Sequence, residues 1–328
     1  MMKRRHFLAG AAALMTSPWH AWAQPSSLPE GQIRIFVGWA PGGGTDTFAR
    51  IISQKLGERW GKAVVVENKP GATGMLAAGY FANTECREGI NLLITHVNTH
   101  AIAPHLFQSR INYDALKDFT PIVSIGATPH LLVTSVDNPV DSVQEIVEAC
   151  RAAPGKVTFG SSGVGSVQHL AIAMFNAAAD VQGLHVPYKG SGPMHSDMMG
   201  RQIGYSFDTM TASAPHVQGG RFKALAQTRM TRTKSFPDLP TMDELGFKNY
   251  DASSWYGVSG PSGMPAEIVQ MLNEEINAVL AMPDVVERFE GYGVEDGGGS
   301  AEKFAGFMQD EYTKWGEVVR VAGVTAEG

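Results

Sequence analysis

Cysteine is scarce in this chain of 328 residues, which contains only Cys86 and Cys150. On a chain of this length a single disulfide would be an accessory, so the fold does not depend on disulfide bridges. The sequence leaves open whether the two residues pair or stay as free thiols, because their separation in space cannot be read from it.

Long apolar runs and an excess of basic charge are also missing. After residue 23 no apolar stretch approaches the roughly 18 residues that a membrane span requires. The formal net charge is −6, from 26 Lys and Arg against 32 Asp and Glu. Without a long basic run, this charge argues against nucleic acid or an anionic membrane surface as a partner.

Nucleotide-binding motifs are absent, although the chain contains 37 glycines. Gly160 and Gly165 have the spacing of a P-loop, but Ser166 stands where the motif has lysine. "PGGGTDTFA" (41–49) lacks the last glycine of the dinucleotide fingerprint, and "GSSGVGS" (160–166) reverses its gaps. None of the glycine-rich turns contains the G-x-S-x-G elbow of an esterase.

The first 23 residues predict a cleaved export signal. A basic start (residues 3–5) precedes the apolar run "FLAGAAALM", and Ala21-Trp22-Ala23 matches an A-x-A cleavage site. "RRHFLAG" also resembles a twin-arginine signal, with Lys3 in the place of the usual Ser or Thr. We expect cleavage after Ala23 and a mature chain that is soluble in the periplasm.

Strand-like apolar runs alternate with helical patterns, which predicts an α/β fold with mostly parallel sheets. "IRIFVG", "NLLITH" and "KVTFG" are examples of the strands. A helix from Thr45 would place five apolar side chains on one face: Phe48, Ile51, Ile52, Leu56 and Trp60.

The length predicts two domains, because single cores stop growing near roughly 300 residues. The last third is mainly helical in pattern, so we expect the chain to build one domain, cross to a second and return. The predicted divisions are 30–125 for the first part of domain 1, 126–230 for domain 2 and 231–328 for the return to domain 1.

Four turns rich in glycine and small polar residues follow predicted strands: "WAPGGGTD" (39–46), "VNTHA" (97–101), "GSSGVGS" (160–166) and "YKGSGP" (188–193). In a parallel α/β sheet such turns lie at the strands' carboxyl ends, where ligands bind. Helix starts at Thr45 and Ser166 would present backbone N–H groups and a positive dipole end, with Gly43 and Gly44 leaving space for an anion. Taken singly, either helix start is better interpreted as a tight turn with a Ser or Thr cap; together with "YKGSGP" they favour a pocket.

Three alternatives come from the same residues. His96, His100 and His105 could suggest a metal site, but no cysteine or carboxylate cluster supports it, so we expect no metal and no cofactor. Ser162 with His169 or His185 could act as nucleophile and base in an exported serine hydrolase, although no orienting acid is evident. Asp46 could cap its own helix, bind an amino group or hold a bridging water.

Six motifs resemble one family in their order along the chain: "PGGGTDTFAR", "VVVENKPGATG", "GSSGVGSVQHLA", "VPYKGSGP", "PDLPTMDELG" and "WYGVSGPSGMP". They are similar to the periplasmic solute receptors of tripartite tricarboxylate transporters, also called the Bordetella uptake gene family. The resemblance covers essentially the whole mature chain. It implies a two-domain, flytrap-like periplasmic binding protein (type II) with the ligand in the cleft between the domains.

The resemblance also implies the residues that hold the ligand carboxylate through backbone amides, hydroxyls and waters. Carried over by position, these are Trp39, Gly43, Thr45, Asp46, Asn98, Thr99, His100, Ser162, Gly163, Ser166, His169, Tyr188, Lys189, Gly190 and Asp208. Gly44 joins them through its place at the helix start. Because His96 and His100 flank Asn98, that loop is expected to tune specificity.

The expected function is therefore that of a monomeric, non-enzymatic receptor that delivers a small organic acid to the permease subunits of a tripartite transporter. Mono-, di- and tricarboxylates, aromatic acids and acidic amino acids all remain open as ligands. Besides the hydrolase, a receptor that signals to a sensor protein is an alternative.

Overall fold

The computed structural model describes residues 30–41, 44–84 and 89–326. The predicted export signal, Gly43 and Cys86 lie outside these residues. Within them, strands numbered in chain order form two five-stranded sheets that are covered by helices, which confirms the α/β fold class.

The first sheet has the strand order β2-β1-β3-β10-β4. Its strands are β1 (Ile33–Val37), β2 (Val64–Asn68), β3 (Ile90–His96), β4 (Phe119–Thr128) and β10 (Ser254–Pro261). β1 pairs in parallel with β2 and β3, whereas β10 pairs antiparallel with β3 and β4. All strands except β10 therefore run in the same direction.

The second sheet repeats this plan with the order β7-β6-β8-β5-β9. Its strands are β5 (His130–Ser135), β6 (Thr158–Ser161), β7 (Leu184–Pro187), β8 (Tyr205–Thr209) and β9 (Phe222–Gln227). β6 is parallel to β7 and β8, and only β5 runs against the rest. Mostly parallel sheets, as the sequence predicted, bring several strand carboxyl ends to one edge.

Helices connect the strands and cover both sheets. Their bounds are α1 (Gly44–Trp60), α2 (Met75–Asn83), α3 (Ala103–Leu106), α4 (Val143–Ala152), α5 (Val167–Ala179), α6 (Ser191–Met199), α7 (Met210–Gln218), α8 (Ala266–Leu280), α9 (Pro283–Gly291) and α10 (Ala301–Ala322). The five apolar side chains predicted for one face of α1 are all buried, which confirms that helix and its orientation. A π-helical turn, Asn98–Ile102, precedes α3. Within the described ranges, no helix combines the length and the apolar composition that a membrane span requires.

The chain passes between the sheets at two places. Pro129 alone separates β4 from β5, and residues 228–253 lead from β9 back to β10. The C-terminal helix α10 packs against β4 of the first sheet and against α5 of the second. Trp315 of α10 and Trp255 of β10 share one buried cluster with Phe159 of β6, so apolar packing joins the two halves behind the crossing strands.

Candidate ligand-binding cleft

A cleft of about 780 Å³ lies between the two sheets and takes its walls from both. The first sheet contributes the β1–α1 loop, the end of β3 and the start of β10. The second contributes the loops after β6, β7 and β8, together with His130 at the start of β5. The cleft therefore sits where loops at strand carboxyl ends from both halves meet, as expected for a ligand site in such sheets.

Four helices begin at this cleft. Gly44 is the first residue of α1, Ser166 and Thr209 are the N-cap residues of α5 and α7, and Ser191 is the first residue of α6; all four residues line the wall. Each helix start carries partial positive charge and backbone N–H groups that have no partner within the helix. The arrangement favours an anion in the cleft.

The charged side chains of the wall also favour an anion as the ligand. Among the described lining residues Lys189 is the sole lysine or arginine, and none is an aspartate or glutamate. An anion that enters the cleft therefore meets a cation and several dipole ends without a facing carboxylate.

His96 is held between two aromatic side chains of the first sheet's half of the cleft. Its ring centroid lies 4.6 Å from that of Trp39 and 4.9 Å from that of Tyr256. Burial, together with repulsion from the nearby His130 and His100, lowers the pKa of His96 to about 3. Burial likewise lowers the pKa of His130 to about 4. Both rings are therefore neutral at physiological pH.

Asp208 lies directly behind the wall and organises the second sheet's half of the cleft. The residue is fully buried and accepts hydrogen bonds from Gln168 Nε2 at 2.6 Å, Ser191 Oγ at 2.8 Å and His195 Nε2 at 2.6 Å. All three donors line the cleft, whereas Asp208 does not. Asp208 thus positions three wall residues from behind.

Gln168 extends this network to the third predicted loop. Its Oε1 accepts from the backbone N–H of Ser162 at 2.8 Å and from the Ser162 hydroxyl. The two histidines proposed as bases are bonded elsewhere: Gly165 N–H donates to His169 Nδ1, and His185 Nε2 is paired with Ser161 Oγ at 2.6 Å. An amide oxygen cannot deprotonate a hydroxyl, so the Ser162 pairing that a hydrolase requires is not formed.

Two of the three histidines considered for a metal site, His100 and His105, contact other groups of the protein. His100 packs edge-on against Phe119 with ring centroids 4.6 Å apart, and His105 Nε2 faces the Tyr312 carbonyl oxygen at 2.9 Å. No group of three or more His, Cys, Asp or Glu side chains that could hold a metal occurs in the described part of the chain.

Eight of the predicted ligand-binding residues line the cleft: Trp39, Gly44, Thr45, Asn98, Ser162, Ser166, Lys189 and Gly190. Gly43 lies outside the described residues. The other seven are not part of the described wall: Asp46, Thr99, His100, Gly163, His169, Tyr188 and Asp208.

Three of these seven residues, Asp46, Thr99 and Tyr188, form side-chain hydrogen bonds with other groups of the protein. Asp46 accepts from Arg50 Nε and Asn68 Nδ2, both at 2.8 Å, and Asn68 also donates to the Trp39 carbonyl. Thr99 Oγ1 donates to the His96 carbonyl at 3.0 Å. Similarly, the Tyr188 hydroxyl donates to Asp197 at 2.7 Å, away from the cleft.

Sequence reasoning missed several wall residues, including His130, Gln168, Ser191, His195, Thr209 and Tyr256. Gln168 and Ser191 stand inside motifs that were singled out, so the signal for them was available. His130 had none, because it lies at the crossing between the sheets and belongs to no glycine-rich turn.

Comparison with known proteins agrees with this architecture. The family model described as "Tripartite tricarboxylate transporter family receptor" matches residues 48–324. Protein BugT of Bordetella pertussis is 33% identical over 297 residues, which are 90% of this chain and 91% of BugT.

Two similar solved structures are complexes with a carboxylate. The R. palustris protein Rpa4515 with adipate has a TM-score of 0.85 and 32% identity, covering 91% of this chain and 99% of its own. MatC from Rhodopseudomonas palustris with bound malate has a TM-score of 0.78 and 28% identity, covering 89% of this chain and 99% of its own. The resemblance seen in the motifs is thereby confirmed, and the chain belongs to the tripartite tricarboxylate transporter receptor family, a class of solute-binding receptors.

Proposed function

We propose that this chain is an exported receptor that captures a small organic carboxylate in its cleft and delivers it to a tripartite-type membrane permease. The observation that carries the proposal is the meeting of four helix starts at a wall whose described residues include one lysine, Lys189, and no arginine, aspartate or glutamate. The adipate and malate held by the two structural relatives support a carboxylate as the ligand.

In this proposal the carboxylate lies against the start of α1, opposite the loops of the second sheet. Backbone N–H groups near Gly44 and the Thr45 hydroxyl bind it from one side, and Gly43 remains a predicted member of this group. Lys189 and the backbone at Gly190 bind it from the other side. Trp39 and Tyr256 pack against the carbon skeleton, because their rings belong to the apolar part of the wall.

The two sheets are proposed to be the cores of two lobes that close on the ligand. The second lobe would be built on residues 130–227, slightly less than the predicted 126–230, because β4 of the first sheet extends to Thr128. Pro129 and residues 228–253, which cross between the sheets, would serve as the hinge. Closure would bury the ligand and present one recognition surface to a permease in the periplasm. The chain performs no catalysis in this proposal.

A carboxylate panel tests the proposal. Purified protein is titrated with mono-, di- and tricarboxylates, with aromatic acids and with acidic amino acids, by calorimetry and by thermal unfolding. A ligand present at about 100 times its Kd should add about 2.7 kcal/mol to the free energy of unfolding. Matched neutral amides of the same acids serve as controls and should not stabilise the protein. Failure of every acid to bind would refute the proposal.

A further inference from the structure

Two histidines of the cleft differ in what they can offer a ligand. His96 is 6% exposed and His130 is 1% exposed, and both line the wall. The hydrogen-bond partner of each ring decides which of its nitrogens carries the proton.

The His96 ring presents a donor to the cleft. The backbone N–H of Asn98 donates to His96 Nδ1 at 3.1 Å, so Nδ1 holds a lone pair. The proton of the neutral ring is therefore on Nε2, which can donate to a carboxylate oxygen.

The His130 ring presents an acceptor. His130 Nδ1 lies 2.8 Å from the carbonyl oxygen of Ala252, and a carbonyl can only accept, so Nδ1 carries the proton. Nε2 is left with a lone pair, and it is buried without a hydrogen-bond partner among the described residues. A buried acceptor without a donor is costly, and a carboxylate oxygen placed beside it would be repelled.

The Asn98 side chain completes the group. Its Oδ1 is also buried without a partner in the described part of the chain. Rotation of the amide exchanges its oxygen and nitrogen, so Asn98 can meet either a donor or an acceptor. His130 has no such freedom, because the bond to Ala252 holds its tautomer.

We infer that His130 Nε2 accepts a hydrogen bond from a hydroxyl or amide N–H of the ligand, so that the receptor selects carboxylates that bear such a neutral donor. This inference rests on the proposed function and specifies its substrate class. An ammonium group is disfavoured as the donor, because Lys189 already places a cation in the same cleft. The carboxylates whose charge reaches His130 are already engaged: Asp208 accepts from Gln168, Ser191 and His195, and Asp251 is paired with Lys314.

Matched ligands test the inference without any mutation. The succinate, glutarate and propionate series are each compared as parent acid, 2-hydroxy acid (both enantiomers) and 2-amino acid. In a series whose parent binds, one 2-hydroxy enantiomer should bind at least about tenfold more tightly than the parent and the amino acid. Binding of parent and hydroxy acid with equal affinity, or tightest binding of the amino acid, overturns this inference and leaves the proposed function standing. Absence of binding by every acid of this set and of the wider carboxylate panel overturns both.

Substitution of His130 assigns the preference to its ring. In His130→Phe the hydroxyl preference, measured as the ratio of the Kd values of the parent acid and its 2-hydroxy acid, should fall to within about threefold. The Ala252 carbonyl stays hydrogen-bonded in this variant, because Thr228 Oγ1 also donates to it at 2.9 Å. His130→Gln, whose amide oxygen can accept, should restore part of the preference and serves as the variant if His130→Phe does not fold. Retention of the full hydroxyl preference in His130→Phe would assign the acceptor elsewhere and overturn the inference. Retention of the full preference in His130→Gln would do the same if the preference is lost when Asn98 is substituted.

Discussion

Gln168 of α5 donates a hydrogen bond from Nε2 to Asp208 at the end of β8, with 2.6 Å between the two atoms. The bond links two loops of the cleft wall through a carboxylate that the wall itself covers. The geometry of the second sheet's half of the cleft therefore depends on a residue that has no exposed surface.

Replacement of Asp208 by asparagine should disturb both stability and binding. Asp208→Asn removes the charge that three donors converge on, and an amide nitrogen would face one of them. We expect a loss of about 1–3 kcal/mol in the free energy of unfolding and weaker carboxylate binding. Urea unfolding and calorimetry measure the two effects. Asp197→Asn on α6 is the matched control. The Asp197 carboxylate accepts from the Tyr188 hydroxyl alone among described side chains and is partly exposed. An equal loss of stability and binding in Asp197→Asn would contradict the role of Asp208.

Gly74 supports Trp39, so Gly74→Ala should affect binding as well as folding. The residue has φ 92°, and a Cβ added there would lie 2.7 Å from Trp39 Cη2 and 2.8 Å from Thr99 Cγ2. We expect a destabilisation of about 1–3 kcal/mol, from backbone strain, and weaker carboxylate binding because the Trp39 ring must move. Gly306→Ala is the control: nothing lies within 4 Å of its added Cβ, and its position inside α10 predicts a gain of up to about 1 kcal/mol. Unchanged ligand affinity in Gly74→Ala would show that Trp39 does not contribute to binding.

Acidification should destabilise the protein through its buried histidines. The folded chain holds the pKa of His130 near 4, against the usual 6.5, whereas the unfolded chain protonates this residue at the usual value. Between these two values the unfolded state binds more protons, so stability is complete above about pH 6.5 and falls as the pH is lowered toward 4. His130→Phe should reduce the slope of unfolding free energy against pH by about 1 kcal/mol per pH unit near pH 5.5. Urea unfolding from pH 4 to 8 gives both slopes, and identical slopes would mean that His130 does not titrate in this way.

Removal of the lysine charge from the cleft should weaken anion binding without affecting the fold. Lys189 is exposed, so Lys189→Gln is expected to raise the Kd of a bound carboxylate by about three- to tenfold and to leave the unfolding free energy within about 0.5 kcal/mol. Lys156→Gln provides the control, since Lys156 is also exposed but precedes β6 at the strand's other end, away from the cleft. Equal effects of the two substitutions would indicate a general charge effect and not a contact in the cleft.

Local sequence patterns predicted the helices and strands of this protein better than they predicted the residues that line the cleft. The apolar face of α1 follows from the spacing of Phe48 to Trp60, which depends only on helical geometry. The cleft-facing turns likewise follow from glycine and hydroxyl residues placed after strands. These signals are local, so a single sequence contains them.

The partners of polar residues depend on register between distant segments, which a single sequence does not give. Asp46 illustrates the limit: its place in the first turn of α1 suggested a cap or a ligand contact, whereas its observed partners include Asn68 at the end of β2. The lone pair of His130 is a second case, because its direction is set by the Ala252 carbonyl 122 residues away. The pairing of Asp46 with Arg50 four residues later is a local pattern, but no pattern around Asp46 or His130 indicates Asn68 or Ala252 as a partner.

The place of β10 between β3 and β4 has a consequence for synthesis and export. The second sheet is made entirely from His130 to Gln227, so a growing chain can complete it while residues beyond β9 are still emerging. The first sheet cannot close until Ser254–Pro261 arrives, and before then β3 and β4 present two open edges that are complementary to that strand. The half of the receptor whose strands come first is therefore finished last, and any nascent chain that stops short of β10 exposes the strand edges that invite aggregation.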